Sequence, residues 1–301
     1  MRLWAGQCKR MFKGLKPDAI LTYLSFHSEL MSEVAAYYSL LSGIPMTVII
    51  YDDALAFSAH DAAETRRIGD RFRWILRSAR QRWFVSEQLA VAYGLPPDPQ
   101  TVLMPIPDGI GERVEWRSEF SVRPKVVYAG FLYEQQYELI RQLGKVIHEA
   151  GGQLLLLSRD TVGLRNLCVE SGIEFQPLLP TNRDALRFVG NCAAAFVAAY
   201  CGRVDDMPWI KSSFPSKVVE FGHLGLPVLF VSPPESAVYS WNQERNLPYN
   251  LRPDETGRVV EFVNALKNPI QWKALAEPIR RLAETEFNPK LIQQRLVEHL
   301  A

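Results

Sequence analysis

A chain of 301 residues is long for one compact core and suits two domains of roughly 100 to 200 residues each. Its 48% hydrophobic and 22% charged residues can bury a sizeable core, and a formal net charge of +1 excludes the basic excess of a nucleic-acid binder. The four cysteines, Cys8, Cys168, Cys192 and Cys201, form no CxxC pair or metal-finger spacing and follow no cleavable signal segment, which points to a reducing, cytoplasmic compartment.

A basic helix opens the chain in RLWAGQCKRMFKGLK, and from residue 18 short β-rich runs alternate with longer helical ones. AILTY (19–23) is followed by a helix over 28–41, MTVIIY (46–51) by a long helix to about Arg80, and RWFVS (82–86) completes the series. This alternation predicts βαβ units around a parallel sheet, with chemistry at the carboxyl ends of the strands. His27 falls just beyond the first strand, and Asp52 and Asp53 end the second. Two carboxylates there suit work on a substrate hydroxyl; the alternative is that one of them caps the next helix or shapes a turn. The segment RRIGDRFRWILRSARQRW (66–83) sets seven arginines against one aspartate, with Phe72, Trp74, Ile75 and Trp83 among them. With the first helix it reads either as a surface for anionic lipid or as ordinary solvated helix faces. No nucleic-acid-binding motif accompanies the arginines.

The charged segment VEWRSEFSVRPK (114–125) interrupts the alternation, which places a domain boundary near Ser121: an N-terminal domain over 1–121, a second over 122–286, and a terminal helix over 287–301. The second series of strands is VVYAG (126–130), LLLLS (154–158), AAAFVAA (193–199) and PVLFV (227–231). Most are apolar throughout, as strands covered by helices on both faces must be. The longest apolar run, AAAFVAAYC (193–201), is about half of the roughly 20 residues a membrane span needs, so it reads as a buried strand.

The stretch SSFPSKVVEFGHLGLPVLF (212–230) is the most informative. Pro215 suits the first turn of a helix and Gly225 with Pro227 its end, which predicts a helix over 214–224. It is apolar on nearly every side, yet carries Lys217 and Glu220 about 60° apart. An anion before this helix would meet free N–H groups, the hydroxyls of Ser213 and Ser216 and the ammonium of Lys217, while Glu220 suits the vicinal hydroxyls of a ribose. Phosphate and ribose together make a nucleotide. The local alternative is that Lys217 and Glu220 pair with each other, for about 0.2 to 0.5 kcal/mol.

These residues resemble a family. FPSKVVEFGHLGLPVLF looks like the donor-site helix and following strand of the GT-B glycosyltransferases, particularly family 4, whose pattern runs P-[SN]-K-x-x-E-[YF]-x-x-x-G-x-P-V. PDAILTY, LLSGIPMTVIIYDD, ARQRWFVSEQLAVAYG and VLMPIPDGI look like landmarks of the N-terminal domain of such enzymes, and VVYAGFL like the first strand and glycine loop of their nucleotide-sugar domain. The resemblance implies an α/β fold of two Rossmann-like domains facing a cleft. It also implies a hexosyltransferase-like enzyme of polysaccharide biosynthesis that uses a nucleotide-diphosphate sugar as co-substrate and retains anomeric configuration. Glu220 would hold the ribose, Lys217, Ser213 and Ser216 would lie near the diphosphate, and Gly130 would let the backbone approach the phosphates. Asp52, Asp53 and His27 would act on the sugar or acceptor.

No cofactor or metal is implied, and the adjacent Asp205 and Asp206 read as loop acids. The acceptor would be a glycan or a lipid-linked sugar, with peripheral contact at the inner membrane face. The loop PLLPTN (177–182) is the candidate base reader. The chain departs from the pattern in three places. Ser212 stands where many relatives carry a first glutamate, FLYEQQYELI stands where they place an arginine and a lysine, and a basic helix precedes the first strand. Diphosphate binding then falls to Lys217, with Lys211 or Arg203, and the first domain reads as shortened or as lacking its natural beginning. The alternatives are a non-catalytic nucleotide-sugar-binding or partner protein descended from such an enzyme, and a nucleotide-sugar epimerase.

Overall fold

The computed structural model describes residues 2–11, 17–25, 28–57, 62–298 and 300. Its contacts divide the chain into two units, one of residues 1–105 with 211–214 and 290–301, the other of 106–210 with 215–289.

The first unit runs α1 (Arg2–Met11), β1 (Ile20–Tyr23), α2 (Glu29–Ser42), β2 (Met46–Ile50), α3 (Ala54–Phe57), α4 (Ala62–Ser78), β3 (Gln81–Phe84) and α5 (Glu87–Ala92). Its sheet is parallel in the order β1-β2-β3, with Thr22 opposite Val48 and Val48 opposite Arg82. Central β2 is buried almost throughout, which explains its unbroken apolar run, while β1 alternates in exposure. Of the long helix expected after β2, the described residues carry α3 (Ala54–Phe57) and α4 (Ala62–Ser78). Tyr37 of α2 packs on Trp74 of α4 at 4.6 Å between ring centroids, and Arg71 bonds Glu29 at 2.9 Å and Glu33 at 3.1 Å.

The second unit runs α6 (Glu119–Val122), β4 (Lys125–Ala129), α7 (Tyr137–Glu149), β5 (Gln153–Ser158), α8 (Val162–Ser171), β6 (Glu174–Pro177), α9 (Asn182–Cys192), β7 (Ala195–Ala199), α10 (Ser216–Gly222), β8 (Val228–Val231), α11 (Ala237–Glu244), β9 (Asn250–Leu251), α12 (Thr256–Leu266) and α13 (Pro269–Glu284). Its six strands are parallel in the order β6-β5-β4-β7-β8-β9. The chain therefore reverses its direction of travel across the sheet between β4 and β7, which in doubly wound folds is where ligands bind.

The contacts divide at residues 105–106, whereas the change in sequence pattern lies near Ser121. Residues 106–121 have no strand or long helix of their own, and they pack on the second unit through its backbone carbonyls. Val114 N donates to Leu224 O at 2.8 Å, Trp116 Nε1 to Leu266 O at 3.2 Å and Arg117 Nη1 to Asn191 O at 2.9 Å. The terminal helix, α14 (Pro289–Glu298), joins the first unit, where Arg295 lies over the Trp83 ring at 5.5 Å.

Candidate functional site

The carboxyl ends of β4 and β7 and the start of α10 enclose a cavity of about 90 Å³, lined by Tyr128, Gly130, Phe131, Tyr200, Lys217 and Val238 among others. Gly130 has a φ of +136°, a conformation that an L side chain rarely adopts, and its N–H is tied to Leu157 O at 2.9 Å. A Cβ there would meet Lys217 Cγ at 3.4 Å, an ordinary contact, so it is the backbone conformation and not crowding that calls for glycine.

The helix carrying Lys217 is shorter than expected, Ser216–Gly222 instead of 214–224. A residue preceding proline is pushed out of the helical region, so Phe214 cannot begin the helix and Pro215 becomes its N-cap, with φ −72° and ψ 99°. Gly225, at φ +63°, closes the other end. Val218, Val219, Phe221 and Gly222 are buried, and Phe221 stacks on Phe196 of β7 at 5.0 Å. Lys217 Nζ donates to Glu220 Oε2 at 2.8 Å, so the local pairing foreseen as the alternative is formed. It does not exhaust either group: an ammonium has three donors and a carboxylate two oxygens. Glu220 is the more enclosed, its side chain 17% exposed against 41% for Lys217. Ser216 is exposed at the first position of α10.

Behind α10, buried His223 lies 3.0 Å by its Nε2 from the Phe287 carbonyl, and burial pulls the pKa of its imidazole down. Sequence reasoning passed over this residue, since nothing local distinguishes a histidine at a helix end that packs against a residue 64 positions away.

Asp52, Asp53 and Ser213 belong to the first unit. Asp53 is buried and doubly engaged: its Oδ1 accepts from Ala56 N at 3.0 Å, capping α3, and its Oδ2 accepts from Ser212 Oγ at 2.7 Å. The Ser212 carbonyl in turn accepts from Ser86 Oγ, whose oxygen caps α5. Ser212, which departs from the family pattern in sequence, is in the structure the partner of Asp53. Asp52 is exposed, and its Oδ2 accepts from the Tyr23 hydroxyl at 3.1 Å. Burial, followed by the Asp52 charge, raises the Tyr23 phenol, and burial pushes Tyr51 up to about 12. Ser213 is buried, with no hydrogen-bond partner for its hydroxyl among the described residues. His27 lies outside the described residues.

Of the other candidates, Arg203 is exposed and 3.5 Å from Asp205, and Lys211 is exposed in the first unit. In the loop 177–182, Pro177 ends β6 and Thr181 caps α9 through the Asp184 N–H. Among the described residues no group of three or more His, Cys, Asp or Glu side chains is placed to hold a metal ion, and no helix is long and apolar enough to cross a membrane.

With this geometry the chain is similar to HepE of Anabaena, solved with UDP, at a TM-score of 0.64 and 13% identity over 98% of this chain and 81% of HepE. A variant of S. aureus TarM, solved with fondaparinux, alpha-GlcNAc-glycerol and UDP, matches at 0.62 and 9% identity over 98% of this chain, which spans 58% of that protein. S. aureus MnaA, solved with UDP, matches at 0.54 and 10% identity over 99% of this chain and 79% of MnaA. No protein-family model and no curated protein sequence matches the chain. At these identities the likeness establishes the fold, which is the GT-B fold with a parallel α/β sheet in each unit.

Proposed function

We propose that the protein is a glycosyltransferase that moves a sugar from a nucleotide-diphosphate donor to a hydroxyl of a glycan or lipid-linked acceptor. The observation that carries this reading is the convergence of Gly130 and Lys217 on the cavity between β4 and β7, with Glu220 one helical turn further along α10. Lys217 would receive the diphosphate, which Gly130 would let approach the backbone closely, Glu220 the ribose hydroxyls, and Ser216 a phosphate oxygen. UDP in the structures of HepE, TarM and MnaA makes uridine the first base to test. Retention of anomeric configuration is carried over from the family-4 pattern at 214–230.

Catalysis would rest on positioning and on stabilising the departing diphosphate by Lys217, with Asp52 acting on the sugar or acceptor hydroxyl. The protein would work in the cytoplasm, in polysaccharide biosynthesis. Calorimetry with UDP tests the donor site. A hydrogen bond to a charged group contributes roughly 1.5 to 3 kcal/mol, so Glu220→Ala should weaken binding about tenfold or more. Unchanged affinity would overturn the assignment.

A second reading, a nucleotide-sugar-binding protein without turnover, is favoured by the double engagement of Asp53 and by Lys217 being the single charged residue among those lining the cavity. Transfer and hydrolysis assays with a panel of UDP, GDP and TDP sugars separate the two: binding without either reaction supports the second.

A further inference from the structure

The cavity between β4 and β7 is walled by aromatic and aliphatic groups, and its one cation shares its charge with Glu220. Beside Gly130 the wall continues as a chain of four rings. Phe131 meets Tyr133 edge-on at 4.6 Å between centroids, Tyr133 meets Trp209 at 5.8 Å, and Trp209 meets Tyr200 at 5.7 Å. The loop that presents Phe131 and Tyr133 is pinned at three points. The Tyr128 hydroxyl donates to Phe131 O at 2.9 Å, Tyr133 N to Gln136 Oε1 at 2.9 Å, and buried Gln136 Nε2 to Ala199 O of β7 at 2.8 Å. The outermost ring, Phe131, is 48% exposed on this fixed loop. Held so, Phe131 offers an apolar ring face without needing to be ordered when a ligand arrives, which lowers the entropic cost of binding, and buried Tyr200 backs the row.

We propose that this aromatic chain is the platform on which the glycosyl ring of the donor stacks, and that ring contact more than charge makes the site select sugar nucleotides. The proposal rests on the nucleotide-sugar reading above. One face of a pyranose is a patch of C–H groups, which suits the negative face of an aromatic ring. A nucleobase would also stack on such rings, but the positions decide between them. Phe131 and Tyr200 line the same cavity as Gly130 and Lys217, and Glu220 is not among its lining residues. With the ribose at Glu220 and the diphosphate at Lys217, the group beyond the diphosphate is the sugar. Phe131 and Tyr133 stand in the segment FLYEQQYELI, where the family pattern places an arginine and a lysine, and donor affinity should depend little on salt.

The test is calorimetry of the intact protein with UDP and UDP-glucose, and with GDP and GDP-mannose, at low and high salt. Phe131→Ala and Trp209→Leu are compared with the parent chain, with melting temperatures as a check on folding. Affinity for the sugar nucleotide that binds should fall roughly three- to tenfold in Phe131→Ala, which alters a half-exposed ring, while the matching diphosphate changes by less than about twofold. Equal losses for diphosphate and sugar nucleotide, or none, overturn the platform and leave the nucleotide site intact. A parent chain that binds none of the four overturns both.

Discussion

Asp52 and Asp53 are neighbours in sequence with opposite surroundings, and this sets different outcomes for each. Asp53 has both carboxylate oxygens occupied, by the Ala56 N–H and the Ser212 hydroxyl, in a buried position. Asp53→Ala removes a helix cap and leaves a buried hydroxyl without its acceptor, so urea unfolding should show a loss of about 2 kcal/mol. Asp52 is exposed and its carboxylate accepts from the Tyr23 hydroxyl at the surface, so Asp52→Asn should leave stability nearly unchanged. If Asp52 acts on the sugar or acceptor, turnover in that variant falls while UDP affinity is retained. A matching loss of turnover, affinity and melting temperature would make Asp52 a structural residue.

At the scale of an element, α4 is where burial and pairing sort a run of like charges that the sequence presents as uniform. Arg71 is bonded to Glu29 and Glu33, Arg73 to Asp70 and Arg67 to Glu64, while Phe72 and Ile75 are buried. A surface for anionic lipid would therefore rest on exposed Arg66, Arg77 and Arg80, together with Leu3 and Trp4 on α1, which are 83% and 54% exposed. Each basic residue near an anionic leaflet adds about 1 kcal/mol, so co-sedimentation with anionic liposomes should be strong at low salt and weak at high salt. Changing Arg66, Arg77 and Arg80 to glutamine should abolish most of it. Equal sedimentation of variant and parent would assign these arginines to solvation and favour a soluble glycan acceptor.

For the molecule as a whole, buried His223 ties one pH dependence to the second unit. Burial lowers its pKa below the ordinary value of about 6.5, and the nearby Arg113 charge acts in the same direction against the favourable Phe287 carbonyl. Below pH of about 6.5 the unfolded chain takes up a proton that the folded chain refuses, so the stabilisation present above that pH is lost as pH falls through the folded pKa. Urea midpoints at pH 7.5 and 5.5 should therefore differ more for the parent than for His223→Gln, whose amide can still donate to Phe287 O. An identical difference for both would remove His223 as the cause.

All strands but β6 and β9, and the helix after Pro215, were legible because they rest on short-range physics. Continuous apolar runs such as LLLLS and AAAFVAA mark strands buried on both faces, and Pro215 and Gly225 mark where a helix can begin and end. The Lys217–Glu220 pairing was legible for the same reason, being a contact across one turn. Short β6 and β9 were not, since four polar-flanked residues and two residues carry no periodicity. The grouping of residues 106–121 with the second unit was not legible, because they are held by hydrogen bonds to carbonyls of distant elements, which leave no pattern in their own sequence. Sequence by itself determined the fold class and the helix on which the donor site is proposed to stand. Only tertiary structure decided that β4 lies beside β7, that Ser212 meets Asp53 across 159 positions, and that Phe131 joins Tyr133 and Trp209 in one aromatic wall. Local propensities act within a few residues, whereas these juxtapositions follow from how whole elements pack to bury their apolar faces.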